Sequence, residues 1–441
     1  MDYGLSTMDY NETIQYLYTQ LPMFTRDGAS AFKKDLTNTI ELCKRLGDPQ
    51  HQFKSVHIAG TNGKGSTSHM LAAILQVAGY KTGLYTSPHL KDFRERIRVN
   101  GQMISEQTVI DFVAARRADF EEIAPSFFEM TVALAFDVFA KEKVDIAMVE
   151  VGLGGRLDST NIITPLLSVI TNIGWDHMNM LGDTLQLIAG EKAGIIKPGI
   201  PVVISETQPE TAHIFIDKAK QEGSPITFAS EVWTIEEKSK FKSQNSKLEI
   251  EAHYSPLTTH HSPLTIALDL TGTYQLKNIK GVLSAVDELR KQGFVITDEH
   301  ITTALKQVKT LTGLHGRWEV SNMQPLTICD TGHNPDGIQE VLKNIAAVDY
   351  QQLHFVIGMV NDKDITKVLA MLPTNAIYYF CKPDIPRGLE AESMQQQAAN
   401  FGLHGNTYSS VKVALSAAQA NATDKDLVFA GGSTFVVAEV I

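Results

Sequence analysis

The chain has 441 residues, of which 43% are hydrophobic and 20% are charged, and this size and composition predict a globular protein of two domains. The net charge of −11 argues against a general binder of nucleic acid or of anionic membranes, because such proteins usually carry a basic face. The cysteines, Cys43, Cys329 and Cys381, lie far apart and lack metal-binding spacing.

The cellular setting is predicted from two sequence features. No apolar run reaches the roughly 18 residues that a membrane-spanning helix needs. The first residues show neither the charged nor the apolar part of a secretory signal. With so few cysteines, we expect a reducing, cytoplasmic setting.

Short strands and helices alternate over the first two-thirds of the chain. Nearly continuous apolar runs predict strands buried on both faces, at 55–59, 144–151, 166–173 and 201–204. Helical patterns lie between them, roughly at 65–78, 126–142, 184–196 and 209–221. This alternation predicts an α/β fold with a mostly parallel, doubly wound sheet. Alternation of polar and apolar residues between about 230 and 276 predicts a small antiparallel flank.

The last third of the chain predicts a second domain. Helices at roughly 278–291 and 298–310 precede the glycine-containing segment 312–317, which we interpret as a hinge. A second α/β pattern follows, with strands near 326–330, 353–359, 376–381 and 427–430. We therefore predict an N-terminal domain of residues 1–311 and a smaller, Rossmann-like C-terminal domain of residues 312–441.

The segment 56–67 reads VHIAGTNGKGST and joins a predicted strand to a predicted helix. Such a turn binds anions, because backbone N–H groups converge there and the helix dipole adds positive potential. Lys64 supplies a point charge, and Ser66 or Thr67 supplies a hydroxyl for Mg²⁺. The pattern predicts a nucleoside-triphosphate site and a P-loop ATPase domain; the alternative is a turn that only links strand to helix. The loop residues are Gly60, Thr61, Asn62, Gly63, Lys64, Gly65 and Ser66.

Polar side chains follow three other predicted strands, namely Ser87, Glu150 and His177. Ligands of open α/β sheets bind outside the carboxyl ends of the strands, so we expect these side chains on the rim that carries the loop. A hydroxyl, a carboxylate and an imidazole can form a Mg²⁺ shell, although imidazole is unusual for so hard an ion. Each also has a simpler interpretation, as a helix-cap partner or a surface residue.

Further polar segments have both a functional and a structural interpretation. Residues 126–129 read SFFE, which is a helix capping box by default. Lys192 lies on a predicted helix, where an isolated lysine is usually solvated. Arg317 has the planar fork that suits phosphate, and Asp330 ends a predicted strand before a loop that opens a helix. The alternative for these last two is a hinge followed by a plain turn.

Taken together, the motifs resemble those of folylpolyglutamate synthase/dihydrofolate synthase, of the bifunctional bacterial type, in the Mur ligase superfamily. They occur in the family's order over nearly the full length. The resemblance implies a monomeric ligase that uses ATP and Mg²⁺ to join L-glutamate to dihydropteroate and to reduced folates through an acyl phosphate. The motifs are HIAGTNGKGSTSHML, GLYTSPHL, FFEMT, VEVGLGGRLDSTN, ITNIGWDHMNMLG, EKAGIIKPG, GRWE and DTGHNP.

The resemblance also implies roles for individual residues. One Mg²⁺ site corresponds to Ser87, Glu150 and His177, with Ser66 as a further ligand from the loop. Lys192 corresponds to a lysine that the family carries as an N6-carboxylate, which would bind a second Mg²⁺. The resemblance assigns catalytic roles to Lys64, Lys192 and His177, and ATP contacts outside the loop to Asn278, Arg317 and Asp330. The pterin pocket would be formed by Gly28, Ala29, Ser30, Ser126, Phe127, Phe128, Glu129 and Leu157.

Two other functions remain open from the sequence. A Mur-type amino-acid ligase of peptidoglycan synthesis shares the ATP chemistry but needs a uridine-nucleotide pocket, usually in an extra N-terminal domain. Only about 55 residues precede the loop here. A nucleotide-gated ATPase switch would explain the loop and the hinge, but not the metal-type residues at three strand ends.

Overall fold

The structure is a computed structural model, and it describes residues 8–23, 26, 35–238, 247–255, 263–361 and 365–441. The strands are β1 Ser55–Ala59, β2 Thr82–Tyr85, β3 Ile97–Val99, β4 Gln102–Met103, β5 Ile146–Glu150, β6 Leu167–Ile170, β7 Val202–Ile204, β8 Ile226–Phe228, β9 Trp233–Glu237, β10 Leu248–Tyr254, β11 Leu264–Leu268, β12 Glu319–Met323, β13 Leu326–Asp330, β14 Leu353–Ile357, β15 Ile377–Cys381, β16 Gly405–Tyr408 and β17 Leu427–Gly431.

The helices alternate with these strands over most of the chain. They are α1 Tyr10–Gln20, α2 Thr37–Arg45, α3 Lys64–Val77, α4 Glu106–Ile123, α5 Phe127–Lys141, α6 Met178–Leu181, α7 Leu185–Ala193, α8 Ala212–Glu222, α9 Ala229–Val232, α10 Gln275–Lys291, α11 Asp298–Leu305, α12 Val308–Thr312, α13 Pro335–Ala346, α14 Thr366–Leu369, α15 Ala391–Ala399, α16 Val411–Asn421 and α17 Thr434–Val440. Within the described ranges, none of them is long and apolar enough to cross a membrane.

The first sheet has eight strands in the order β4-β3-β2-β5-β1-β6-β7-β8. Neighbours from β2 to β8 are parallel, whereas β3 and β4 add an antiparallel edge. The predicted parallel sheet is therefore confirmed. Strands β3, β4 and β8 are absent from the sequence prediction, because runs of two or three residues are too short to show a period.

Helices cover both faces of this sheet. One core lies between the sheet and helices α3, α10 and α11, and it continues into the antiparallel sheet β11-β10-β9. That small sheet confirms the predicted flank. The opposite face packs against α1, α2, α4 and α5. Strand β1 lies at the centre with all five residues buried, so the turn that follows it starts from a rigid base.

The single helix predicted at 298–310 is wrong, because the chain breaks into α11 and α12 at Gln307, where φ is −148° and ψ is 34°. Asp269 explains the break. Its backbone N–H donates to the Leu305 carbonyl, and its carboxylate accepts from the Lys309 N–H at 2.9 Å. The carboxylate thereby caps α12, which a pattern confined to 298–310 does not reveal.

The second sheet has six strands in the order β12-β13-β17-β14-β15-β16. All neighbours are parallel except β12, which pairs antiparallel with β13. Cores on both faces give the expected separate α/β unit. The chain passes from one unit to the other through the segment 313–318, where Gly313 and Gly316 have φ of 66° and 72°. We propose the domain boundary at 311/312, next to this segment.

Candidate active site

The turn between β1 and α3 approaches its neighbours too closely for larger residues. Gly60 has a φ of 145° and Gly63 a φ of 88°, which side chains rarely permit. A Cβ added to Gly60 would lie 1.8 Å from Thr171 Oγ1, and one added to Gly63 would lie 2.3 Å from Asn278 Oδ1. Helix α3 begins at Lys64 with no side-chain cap. Its first N–H groups therefore remain available for an anion.

Two lysines converge on this turn. Lys64 Nζ donates to the carbonyls of Gly60 at 3.1 Å and Thr61 at 3.3 Å. Lys192 Nζ donates to the same Gly60 carbonyl at 2.8 Å, and its residue is only 4% exposed. Burial, and then the charge of Lys64, lower the pKa of Lys192 to about 7. The solvated interpretation of Lys192 is therefore wrong, and its amine is poised between the charged and neutral forms.

A buried carboxylate lies on the other side of the turn. Glu150 ends β5, is 3% exposed and accepts a hydrogen bond from the Ser87 N–H at 3.3 Å. Burial raises the pKa of Glu150 to about 7, against the opposing charges of Lys64 and Arg317. A Cβ added to Gly65 would lie 3.8 Å from Glu150 Oε2 and 3.4 Å from Arg317 Nη2. These groups border a narrow cleft of about 60 Å³ that residues of both domains line.

His177 follows β6, on the Lys192 side of the turn. It adopts a positive φ of 51°, and its Nε2 lies 3.7 Å from Asp176 Oδ2. Asp176 also accepts from Asn334 Nδ2 at 3.2 Å. Since β1 lies between β5 and β6, Ser87 and Glu150 flank the turn on one side and His177 on the other. The three side chains thus share the predicted rim of the sheet.

The start of α10 covers the phosphate-loop turn. Asn278 Nδ2 donates to Gln275 Oε1 at 2.8 Å, and Gln275 Nε2 donates to Ser66 Oγ at 3.1 Å. All three residues are buried. The predicted ATP contact Asn278 is therefore held against the loop by a chain of amide and hydroxyl groups.

The second domain contributes Arg317 and Asp330. The Arg317 guanidinium donates to Thr331 Oγ1 and reaches towards Gly65. Asp330 ends β13 and accepts from the Tyr274 hydroxyl at 2.6 Å and from the Trp318 N–H at 2.7 Å. Burial raises the pKa of Asp330, although hydrogen bonding from Tyr274 and the charge of Arg317 oppose this shift. Asp330 thus ties the segment 313–318 to the first domain.

Direct contacts hold the two domains together beside the loop. The amides of Asn62 and Asn334 form a reciprocal pair, with Nδ2···Oδ1 distances of 3.2 and 3.1 Å. The Trp175 N–H donates to Asp336 Oδ2 at 3.0 Å. The phosphate-loop turn itself is therefore part of the domain interface.

The segment 126–129 forms the capping box that its sequence predicts. Glu129 accepts from the Ser126 N–H at 2.6 Å, and Ser126 Oγ accepts from the Glu129 N–H at 3.2 Å. Phe128 lies against Gly152, where an added Cβ would be 2.4 Å from the ring. Phe127 is buried, whereas Phe128 and Leu157 are half-buried. The remaining predicted pterin residues, Gly28, Ala29 and Ser30, lie outside the described residues.

The sequence patterns did not predict several residues that lie in this site. Gln275 stands three positions before Asn278 on α10, and that helical spacing was the available signal. Asp176 and Asn334 lie within the motifs ITNIGWDHMNMLG and DTGHNP, but no function was predicted for either side chain. Tyr274 gave no signal, because its partner Asp330 is 56 positions away in the chain.

Two protein families match the two halves of this site. The Mur ligase middle domain matches residues 58–286, and the Mur ligase glutamate ligase domain matches residues 316–434. The first match contains the phosphate loop, Glu150 and Lys192, and the second contains Arg317 and Asp330.

Similar full-length proteins extend this result. The dihydrofolate synthase/folylpolyglutamate synthase of Bacillus subtilis is 33% identical over 403 residues, covering 87% of this chain and 88% of that protein. A probable bifunctional folylpolyglutamate synthase/dihydropteroate synthase of Haloferax volcanii is 32% identical over 98% of this chain, which spans 50% of that protein.

Solved structures agree with these relatives. Escherichia coli FolC in complex with DHPP and ADP has a TM-score of 0.84 and 29% identity, covering 98% of this chain and 97% of that one. A bifunctional folylpolyglutamate synthase/dihydrofolate synthase with Mn, AMPPNP and L-glutamate bound has a TM-score of 0.82 and 30% identity, with 98% and 97% covered. The chain belongs to the folylpolyglutamate synthase/dihydrofolate synthase family of the Mur ligase superfamily.

Proposed function

We propose that this protein is an ATP-dependent ligase that joins L-glutamate to the carboxyl group of dihydropteroate and, in later additions, to reduced folates. One observation carries the proposal: an uncapped phosphate-loop helix, the buried Glu150 and Lys192, and Arg317 from the second domain converge at one rim of the sheet. The family to which the chain belongs, and the ADP, AMPPNP, DHPP and glutamate bound to its structural relatives, support the same reaction.

ATP would bind across the two domains. The loop Gly60–Ser66 would hold the phosphates through the Lys64 ammonium and the N–H groups at the start of α3, because these supply a point charge and converging donors. The N–H groups of Thr61 and Asn62 donate to Asn172 and fix the shape of the loop. Asn278 lies over the loop, Arg317 reaches it from the second domain, and Asp330 bonds the Tyr274 hydroxyl at the domain interface. We propose these three residues as the remaining ATP contacts.

The residues at the rim fit a divalent cation. Glu150 is buried beside the loop, and no ion pair holds it among the described residues, while Ser66 and Ser87 offer hydroxyl oxygens of the kind that Mg²⁺ prefers. We propose Ser66, Ser87, Glu150 and His177 as the ligands of one Mg²⁺, and an N6-carboxylated Lys192 for a second. When bound, the ions would neutralise charge on the triphosphate. The lowered pKa of Lys192 supports this modification, because only a neutral amine reacts with CO₂.

The reaction needs an activated acid, since a carboxylate is a poor electrophile for an amine. An oxygen of the acceptor carboxylate attacks the γ-phosphorus of ATP, ADP leaves, and an acyl phosphate results. The α-amine of glutamate then attacks the acyl carbon, and phosphate departs with the oxygen that came from the carboxylate. The loop amides, Lys64 and Arg317 would stabilise the charge on the transferred group. Contact between the domains would exclude water from the acyl phosphate.

The acceptor would lie beside the start of α5. We propose that Phe127, Phe128 and Leu157 contact the pterin, and that the capping box of Ser126 and Glu129 fixes the two aromatic residues. We also propose Gly28, Ala29 and Ser30 as pterin contacts. The half-buried state of Phe128 and Leu157 supports the assignment, because both retain surface for a ligand.

One assay tests the function and its alternatives together. Purified protein is incubated with ATP, Mg²⁺, L-glutamate and either dihydropteroate or tetrahydrofolate, and the products are identified by mass spectrometry. We expect one added glutamate on each acceptor, with ADP formed only in the complete mixture. ADP release that is independent of glutamate would favour an ATPase switch, and glutamylation of tetrahydrofolate alone would remove the bifunctional assignment.

We further propose that the protein acts as a monomer in the cytoplasm. Cys43, Cys329 and Cys381 are buried and form no disulfide, which supports a reducing compartment.

A further inference from the structure

A buried arginine lies at the rim of the first sheet, and the mechanism above does not use it. Arg96 directly precedes β3, and its carbonyl accepts the Thr86 N–H at 3.0 Å, so it stands beside the carboxyl end of β2. Its residue is only 7% exposed. The guanidinium lies over the ring of Phe127, 5.4 Å from the centroid. Arg96 therefore lies between the proposed pterin pocket and the loop that carries Ser87.

Among the described residues, this cation has no carboxylate partner and forms no ion pair. Arg96 Nε donates to His89 Nδ1 at 2.7 Å, and the guanidinium lies within hydrogen-bonding reach of the Tyr85 hydroxyl. His89 Nδ1 accepts this bond and therefore carries no proton, so His89 offers the guanidinium no negative charge. Glu150 and Glu95 act on Arg96 only through space. Burial of an unpaired charge is costly, so an anion that enters the site would be bound strongly.

A buried hydroxyl lies beside this guanidinium. The Tyr85 side chain ends β2 and is fully buried, and the Arg96 side chain lies within hydrogen-bonding reach of its hydroxyl. Because a guanidinium can only donate, the Tyr85 O–H has no acceptor among the described residues. A guanidinium fork and a phenolic hydroxyl together offer donors for both oxygens of a carboxylate.

We propose that Arg96, assisted by the Tyr85 hydroxyl, binds the carboxylate of the acceptor acid and positions it for phosphorylation. The inference rests on the proposed function and assigns a residue that recognises the reacting group itself. Its position favours the acceptor over glutamate, because the guanidinium lies over Phe127 of the proposed pterin pocket and Tyr18 packs against the same ring, while Glu150 lies beside the phosphate loop. Charge repulsion between the acceptor carboxylate and the triphosphate would be reduced at the same point.

Binding measurements on Arg96→Gln test this proposal without requiring turnover. Titrations in the presence of ADP and Mg²⁺ compare dihydropteroate with its primary amide, which keeps the pterin but lacks the negative charge. We expect Arg96→Gln to bind the acid roughly 10- to 100-fold more weakly than the unaltered protein, because a charge-assisted contact is lost. We expect both proteins to bind the amide equally. Equal loss for acid and amide, or no loss for the acid, would overturn the proposal.

Two further variants and a kinetic measurement distinguish binding of the acceptor from binding of glutamate. Arg96→Lys keeps the charge and should recover part of the preference for the acid, and Tyr85→Phe should weaken acid binding by a smaller factor. If Arg96 instead received the incoming glutamate, Arg96→Gln would raise the KM for glutamate alone, and the proposal would be wrong. Failure of the unaltered protein to bind dihydropteroate would contradict the proposed function itself. Binding of ADP by every variant checks that each one is folded.

Discussion

Lys192 illustrates how burial changes the chemistry of a single residue. Its ammonium shares the Gly60 carbonyl with Lys64, and two cations that compete for one acceptor favour the neutral form of the more buried one. A neutral amine next to a phosphate loop can accept CO₂ and become an anion. The proposed second metal site depends on this conversion.

Replacing Lys192 with alanine should abolish ligation, and added short carboxylates such as formate or acetate should restore part of it. The physical reason is that the carboxylate would occupy the space of the lost N6-carboxylate. Rates with and without the additive measure this, and intact mass at raised bicarbonate shows the modification. Lys197→Ala is the matched control, because Lys197 Nζ donates to the Asn161 carbonyl rather than to the phosphate-loop turn. This variant should remain active without the additive. An unmodified mass together with no rescue would disprove the role.

His57 predicts how stability depends on pH. It is fully buried, its Nε2 lies 2.8 Å from Thr160 Oγ1, and burial lowers its pKa to about 3. The unfolded state therefore gains a proton near the ordinary pKa of 6.5, whereas the folded state does not. Stability is lost as the pH falls through this range, by roughly 2 kcal/mol between pH 7 and pH 5 for this one group.

Urea unfolding of the unaltered protein and of His57→Gln at both pH values checks this effect. The variant should show a pH dependence of the unfolding free energy that is smaller by about that amount. Identical pH dependence in the two proteins would show that the pKa of His57 is the same in the folded and unfolded states, and the account of its burial would be wrong.

Among single residues, the sequence located those whose position follows from local structure. Glu150 and Lys64 could be placed at the rim of the sheet because strand ends and glycine-rich turns face the ligand side of an open sheet. Arg96 and Gln275 could not, because their significance depends on partners or on the lack of partners. Gln275 meets Ser66 across 209 positions of chain, which no local pattern reveals.

Helix α5 joins local structure to the proposed pocket. Among the described residues, the side chains of its N-cap Ser126 and of Glu129 bond to backbone within the capping box and to Asn38, so the sequence pattern SFFE was a correct guide to local structure. Phe127 and Phe128 start the helix directly after this cap. The cap therefore determines the positions of both phenylalanine rings.

Substituting Ser126 with alanine should lower the free energy of unfolding by about 1 kcal/mol, as expected for the loss of an N-cap. It should also raise the KM for the acceptor, because the first turn that carries the two rings would loosen. Ser105→Ala is the matched control: Ser105 caps α4 by accepting from the Thr108 N–H at 3.0 Å. We expect the same loss of stability there and an unchanged KM. Equal kinetic effects in both variants would remove α5 from the substrate site.

The ends of helices and strands could be predicted from the sequence where a local motif, such as a capping box, determines them. The box at 126–129 located α5 to within a residue of its start. The break between α11 and α12 was missed because Asp269 causes it from about 40 positions away. Strands β3 and β4 were missed because the pairing of β3 with β2 and of β4 with β3, rather than their own pattern, makes them strands.

Across the whole molecule, the domain interface passes through the phosphate loop. The reciprocal amide pair of Asn62 and Asn334 connects the loop to the start of α13. ATP binding and domain contact should therefore stabilise one another, since both order the same turn.

Asn334→Ser tests this coupling while keeping the helix cap, because serine caps helices about as well as asparagine. Losing the paired amide should raise the KM for ATP roughly tenfold, as expected for one or two hydrogen bonds. Small-angle scattering with a non-hydrolysable ATP analogue should show compaction of the unaltered protein and less compaction of the variant. Asn375→Ser, at an exposed site of the second domain, should behave as the unaltered protein. Scattering curves unaffected by the analogue in every protein would contradict the coupling.

The most direct measurement follows the oxygen atoms of the acceptor. Dihydropteroate labelled with ¹⁸O in its carboxyl group is incubated with the protein, ATP, Mg²⁺ and L-glutamate, and the released phosphate is analysed by mass spectrometry. Transfer of the γ-phosphoryl group to the carboxylate predicts one ¹⁸O in each phosphate formed with product. Product accompanied by unlabelled phosphate would show that no acyl phosphate forms, and the account of this site would be wrong.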